Sequence, residues 1–122
     1  SLGHHMYPDG NYLKKYYEVA GQELNSIRTQ IKGKDYDIQA VRAQIGRYYQ
    51  VMANTRPYEN VNNAMFMNQV NYLLRLTGHP GIPHGSLDHL MVRLDHHQAE
   101  IVWDAALQGR LPTDRQLGIN TN

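Results

Sequence analysis

Apolar residues recur along this chain at intervals of three and four, and the pattern falls into four separate stretches. In the first, Leu13, Tyr16, Tyr17, Ala20, Leu24, Ile27 and Ile31 share one helical stripe, with Asp9 available as a cap and Gly33 as a stop. Ile38, Val41, Ile45, Tyr48 and Met52 form the second stripe, capped by Asp35 or Asp37 and ending near Asn54. A loop rich in turn formers follows, opened by Pro57. The third stretch, residues 63–77, places Phe66, Val70, Leu73, Leu74 and Thr77 on one line. Met65, Met67, Tyr72 and Leu76 widen that line, which predicts the most buried helix of the four. Gly78, Pro80 and Pro83 prevent it from continuing. The fourth stretch, residues 87–108, carries a core face of Leu87, Leu90, Met91, Leu94, Ile101, Val102 and Ala105. Ser86 is its expected cap, and Gly109 and Pro112 end it.

No stretch alternates with the two-residue period of a strand. Four helices joined by short loops predict an all-α, four-helix bundle-like single domain with antiparallel neighbours. Its expected limits are residues 6–110, with a C-terminal tail over 111–122 that holds one turn. His4 and His5 directly precede Met6 and read as the remnant of a purification tag, so residues 1–5 are set aside.

Composition narrows the function. The chain has 122 residues and no cysteine, which excludes a disulfide framework, a thiolate nucleophile and a zinc-thiolate site. No apolar run reaches the ~18 residues of a membrane span, so a soluble cytoplasmic protein without membrane partners is expected. A net charge of +1 gives little attraction for a phosphate backbone. All four lysines (Lys14, Lys15, Lys32, Lys34) lie in the first third, as on a solvated helix face, and no basic recognition helix stands out for nucleic acid. Nine tyrosines, against one tryptophan and one phenylalanine, suit half-buried positions where a ring packs and a hydroxyl stays wet.

The remaining five histidines crowd into residues 79–97, where Leu-Asp-His occurs twice, at Leu87 to His89 and Leu94 to His96. On one continuous helix His89 and His96 stand two turns apart, roughly 10 Å along the axis, too far to share a metal ion. No i, i+4 His-His pair offers a preformed half-site, and the i, i+4 pair His96 and Glu100 reads as an ordinary surface contact, so neither a metal nor another cofactor is expected. Ser86 serves better as a cap than as a nucleophile. The same helix carries a second apolar line, Val92, Ala99 and Trp103, beside His96. Either another element of the same chain covers it, or it is an interface with a partner or second subunit. The sequence reading takes the interface, formed by Val92, His96, Ala99 and Trp103, with a homodimer as its commonest form.

A second candidate site lies at the start of the third helix. Asn60, Asn62 and Asn63 crowd its N-terminus just after Arg56, and Asn68, Asn71 and Arg75 continue along it. Asparagine is unfavourable inside a helix, so such a row points to buried polar contacts or a cleft. Free N–H groups at the helix start suit a nucleotide or small anion, with His79 and His84 as acid or base from the next loop. The run Arg56-Pro57-Tyr58-Glu59-Asn60-Val61-Asn62-Asn63-Ala64 and the helix after it resemble the Fic (Fido) family of helical transferases over residues 48–82. Pro57 and Asn62 match the HPFxDGNGR motif outright, and Tyr58 replaces its aromatic. Arg56 stands where the family has its base histidine, Asn60 where it has the metal-binding acid, and Ala64 where it has the phosphate-binding arginine. A guanidinium takes no proton near neutral pH, and a neutral amide is a poor Mg²⁺ ligand. The resemblance therefore implies a degenerate centre that has lost AMP transfer and retains nucleotide or anion binding at Arg56, Asn60, Asn62, Asn63, His79 and His84. The leading expectation is a non-enzymatic, self-associating interaction module.

Overall fold

A computed structural model describes residues 10–54, 63–83, 94–113 and 115–118, with side chains from residue 14 in the first helix and from residue 65 in the third. Within these residues the fold is all-α, with four helices and no strand. Helix α1 spans Gly10–Gly33, α2 Ile38–Ala53, α3 Asn63–Leu76 and α4 His96–Leu107.

The ends of these helices follow local chemistry. Asp37 caps α2 by accepting the Ala40 N–H at 3.1 Å. Gly78 and Gly109 adopt positive φ angles of 90° and 81° just beyond α3 and α4. Around each, the two paired carbonyl bonds of a Schellman motif form: His79 N–H to Leu74 and Gly78 N–H to Arg75, then Arg110 N–H to Ala105 and Gly109 N–H to Ala106. Helix α1 runs through Gly33, and the left-handed residue that turns the chain is Lys34, at φ 63°.

The fourth helix is shorter than its apolar pattern predicts. It begins at His96, not at residue 87, because Leu94 and Asp95 are non-helical. Asp95 and Gln98 form a capping box, in which the Asp95 carboxylate accepts the Gln98 N–H at 2.8 Å and Gln98 Oε1 accepts the Asp95 N–H at 3.3 Å. The helical wheel that joined His89 to His96 therefore does not run through this point. Asp9, Ser86 and residues 87–93 lie outside the described residues.

Helix α2 is the hub, touching each of the other three. Gln30 donates to Gln44 across α1 and α2, Tyr48 to Gln69 across α2 and α3, and His96 meets Gln50 across α4 and α2. Together with the Arg42–Thr77 and Trp103–Arg42 bonds, these pairings set α3 and α4 antiparallel to α2, and the short link between Gly33 and Ile38 turns α2 back along α1. The core lies around this helix: Ile27, Val41, Ile45, Tyr49, Val70, Leu73, Leu74 and Val102 are almost wholly removed from solvent. Tyr49 stands edge-on to both Phe66 (5.4 Å) and Trp103 (5.9 Å), so one ring ties α2 to α3 and α4. Among the residues with described side chains the main stripes hold except at Ile38 in the first turn of α2, while Met65, Tyr72 and Leu76, expected to widen the α3 line, are exposed. The tail makes the expected turn and does more: Leu117 is buried in the core, and its carbonyl accepts the Gln98 side-chain N–H.

Candidate functional site

Of the residues expected to form an anion site, Arg56, Asn60, Asn62 and His84 lie outside the described residues, and Asn63 opens α3. His79 is described, and both its ring nitrogens are engaged. Nε2 lies 2.7 Å from the Leu107 carbonyl and Nδ1 accepts the Gly81 N–H at 2.9 Å. A carbonyl only accepts, so the Nε2-protonated neutral tautomer satisfies both contacts. His79 thus joins the α3–α4 loop to the end of α4, which leaves neither nitrogen for proton transfer to a substrate.

Asparagine in α3 has a comparable explanation. Asn71 is buried, and its amide grips the backbone of Ile82 from both sides, accepting the Ile82 N–H at 2.7 Å and donating to its carbonyl at 2.8 Å. Gly81, at φ 103°, lets the loop come this close, since a Cβ there would lie 3.1 Å from the Asn71 amide. Arg42 completes this end of the bundle by donating to the Thr77 hydroxyl (3.0 Å) and carbonyl (2.8 Å). Asn71 is therefore a buried polar contact. Asn68, on the same helix, is exposed.

The line expected to form an interface on α4 is covered by α2 of the same chain. Ala99 and Trp103 are each only 3 % exposed. The Trp103 indole lies flat on Gly46 and donates its N–H to the Arg42 carbonyl at 2.8 Å. In helical geometry that carbonyl also pairs with the Gly46 N–H, so the indole reads the backbone of α2 directly. The interface assignment of Ala99 and Trp103 is corrected accordingly, because surface already spent on α2 cannot contact a partner. His96 is exposed, with Nδ1 3.0 Å from Gln50 Oε1. Val92 lies outside the described residues.

Beside Trp103 the same two helices enclose a cleft of about 200 Å³. Small residues, Ala43 and Ala99, leave it open beside Trp103, whose indole covers Gly46. Arg47 and Gln50 line it from α2, and Glu100 and Asp104 from α4. Gln50 and Gly46 carried no weight in the sequence reading. The signal for Gly46 was there: glycine inside a helix costs about 1 kcal/mol relative to alanine and calls for a packing reason.

The other feature is on α3. Met65, Tyr72 and Leu76 are 67, 57 and 45 % exposed. Their spacing of seven and eleven residues aligns them within roughly 40° on the helix. The helix that was expected to be most deeply buried therefore has two apolar faces, one in the core and one in water. Among the described residues no group of three His, Asp or Glu side chains converges as a metal site, and no helix is long and apolar enough to cross a membrane.

These helices define a small all-α bundle. Compared with protein-family models, curated proteins and solved structures, the chain matches none.

Proposed function

We propose that this protein is a small helical interaction module that pairs with a second copy of itself through the outer face of α3. The carrying observation is the exposed line Met65, Tyr72 and Leu76. Single exposed apolar residues are ordinary on any surface, but three large ones aligned on one helix form a strip that gains by being covered.

With a single charge on α3, a second copy can be accommodated, and that charge sets its direction. Helix α3 contains no acid, and its one charged residue is Arg75. Parallel pairing would bring two guanidinium groups together. Antiparallel pairing about a two-fold axis midway between Met65 and Leu76 separates the Arg75 positions by roughly 14 Å along the helix, beyond the ~8 Å screening length of physiological salt. Met65 then packs on the partner's Leu76, and both Tyr72 rings flank the axis. Three side chains cover far less than the ~800 Å² per partner of a standard interface, so the dimer is weak and concentration-dependent.

Light scattering across a concentration series tests this. The mean mass should rise toward that of a dimer with concentration, and Leu76→Glu should hold the chain monomeric without changing its unfolding midpoint. A mass fixed at the monomer value throughout would refute self-association. A fixed monomer that instead binds an acidic amphipathic helix would assign the same face to a different partner.

A further inference from the structure

We propose that the cleft between α2 and α4 binds a small zwitterion of amino-acid type, its ammonium group between Glu100 and Asp104 and its carboxylate on Arg47. This site is separate from the α3 face and does not depend on it.

Three observations on the cleft converge. Glu100 and Asp104 stand one turn apart on α4, an arrangement in which like charges repel. Arg47 lies on the opposite wall, yet none of these three groups makes an ion pair or hydrogen bond in the described structure. Opposite charges thus face one another across a gap that they do not close. The gap persists because its lining is short: Ala43 and Ala99 leave space beside the Trp103 indole, which itself covers Gly46.

The third observation is Gln50, which is 6 % exposed and lines the cleft. Its Oε1 is engaged by the protonated Nδ1 of His96, which orients the amide. With Oε1 so occupied, the NH₂ group is the part of the Gln50 side chain left to donate, and a ligand carboxylate set against Arg47 would accept from it. Donors on one wall and acceptors on the other, over an apolar floor, match a molecule with separated positive and negative ends and a small apolar body. A volume of about 200 Å³ admits a free amino acid and falls below the ~300 Å³ where drug-sized sites begin.

The test is titration of the full chain with free amino acids, followed by two-dimensional amide NMR. Saturable shifts are expected for the Gln50 side-chain NH₂, the Trp103 indole N–H and backbone amides of residues 43–50 and 99–104. The matching amine without a carboxylate, and the matching acid without an amine, should each bind at least about tenfold more weakly, the loss of one charge-assisted contact. Arg47→Gln and Glu100→Gln, both substitutions at exposed positions, should each cost about the same factor, whereas Leu76→Glu should leave binding unchanged. No saturable shift with any amino acid would overturn the proposal. So would binding that survives Arg47→Gln and Glu100→Gln, or a response to the amine or acid alone as strong as to the zwitterion.

Discussion

Two glycines inside helices have opposite surroundings. A Cβ on Gly46 would sit 2.5–2.6 Å from three atoms of the Trp103 indole, a rigid ring hydrogen-bonded in place. A Cβ on Gly21 would meet nothing within 4 Å. Gly46→Ala should therefore destabilise by about 2–3 kcal/mol, the upper part of the range for overpacking, and displace the indole from Arg42. Gly21→Ala should stabilise by about 0.5–1 kcal/mol, the difference in helix propensity alone. Denaturation midpoints of the two variants check both signs, and the single tryptophan reports the first directly through its emission. Asn71 and His79 make a related point. Each looks functional by residue type, and each satisfies backbone groups of a loop that must pass close to a helix. A sequence shows such residues but not the carbonyls they face, so structural and catalytic uses of a buried amide or imidazole look alike until the loop is in place.

Helix periodicity was the legible part of the fold. The stripes of α1, α2 and α3 follow their i, i+3, i+4 pattern, and Asp37, Asn54, Gly78 and Gly109 act at or beside the ends where their chemistry places them. The start of α4 was not legible, since Leu-Asp-His reads equally as one turn of a continuing helix or as a new cap. The capping box that Asp95 forms with Gln98 decides for the cap. Contacts between helices were hidden for a similar reason, because periodicity gives each helix a face without saying what covers it. Tyr48 illustrates one such contact. Its hydroxyl donates to Gln69 at 2.6 Å, linking α2 to α3. Burial raises its pKa above the ordinary 10.0, against the opposing influence of the Arg28 charge. A raised pKa means that the folded state favours the neutral phenol. Its contribution is complete below pH 10 and is lost as pH rises through the higher folded value. Tyr48→Phe should thus be less stable than the parent chain at neutral pH through loss of the Gln69 bond, and should lose stability less steeply above pH 10. Unfolding curves from pH 7 to 11 would show the two profiles converging; parallel profiles would remove Tyr48 as an alkaline-labile link.

At the scale of the whole molecule, α2 binds the other three helices together, and what remains outward defines what the protein can do. The tryptophan that suggested an interface is internal, which places the weight on two other features. One is the cleft beside it between α2 and α4, and the other is the apolar line on α3. The tyrosine-rich composition divides in the same way: Tyr48 and Tyr49 serve the core, and Tyr72 faces water. Pairing through α3 is the central functional claim, and the absence of cysteine from the chain makes it directly testable by single-site crosslinking. The measurement is the yield of covalent dimer formed with a short bismaleimide. Tyr72→Cys, beside the proposed two-fold axis, should crosslink to itself. Met65→Cys alone should not, while a mixture of Met65→Cys and Leu76→Cys chains should form the mixed dimer. Yields no higher than that of Leu111→Cys, exposed elsewhere on the surface, would contradict pairing through α3, and efficient self-crosslinking of Met65→Cys would contradict its antiparallel direction.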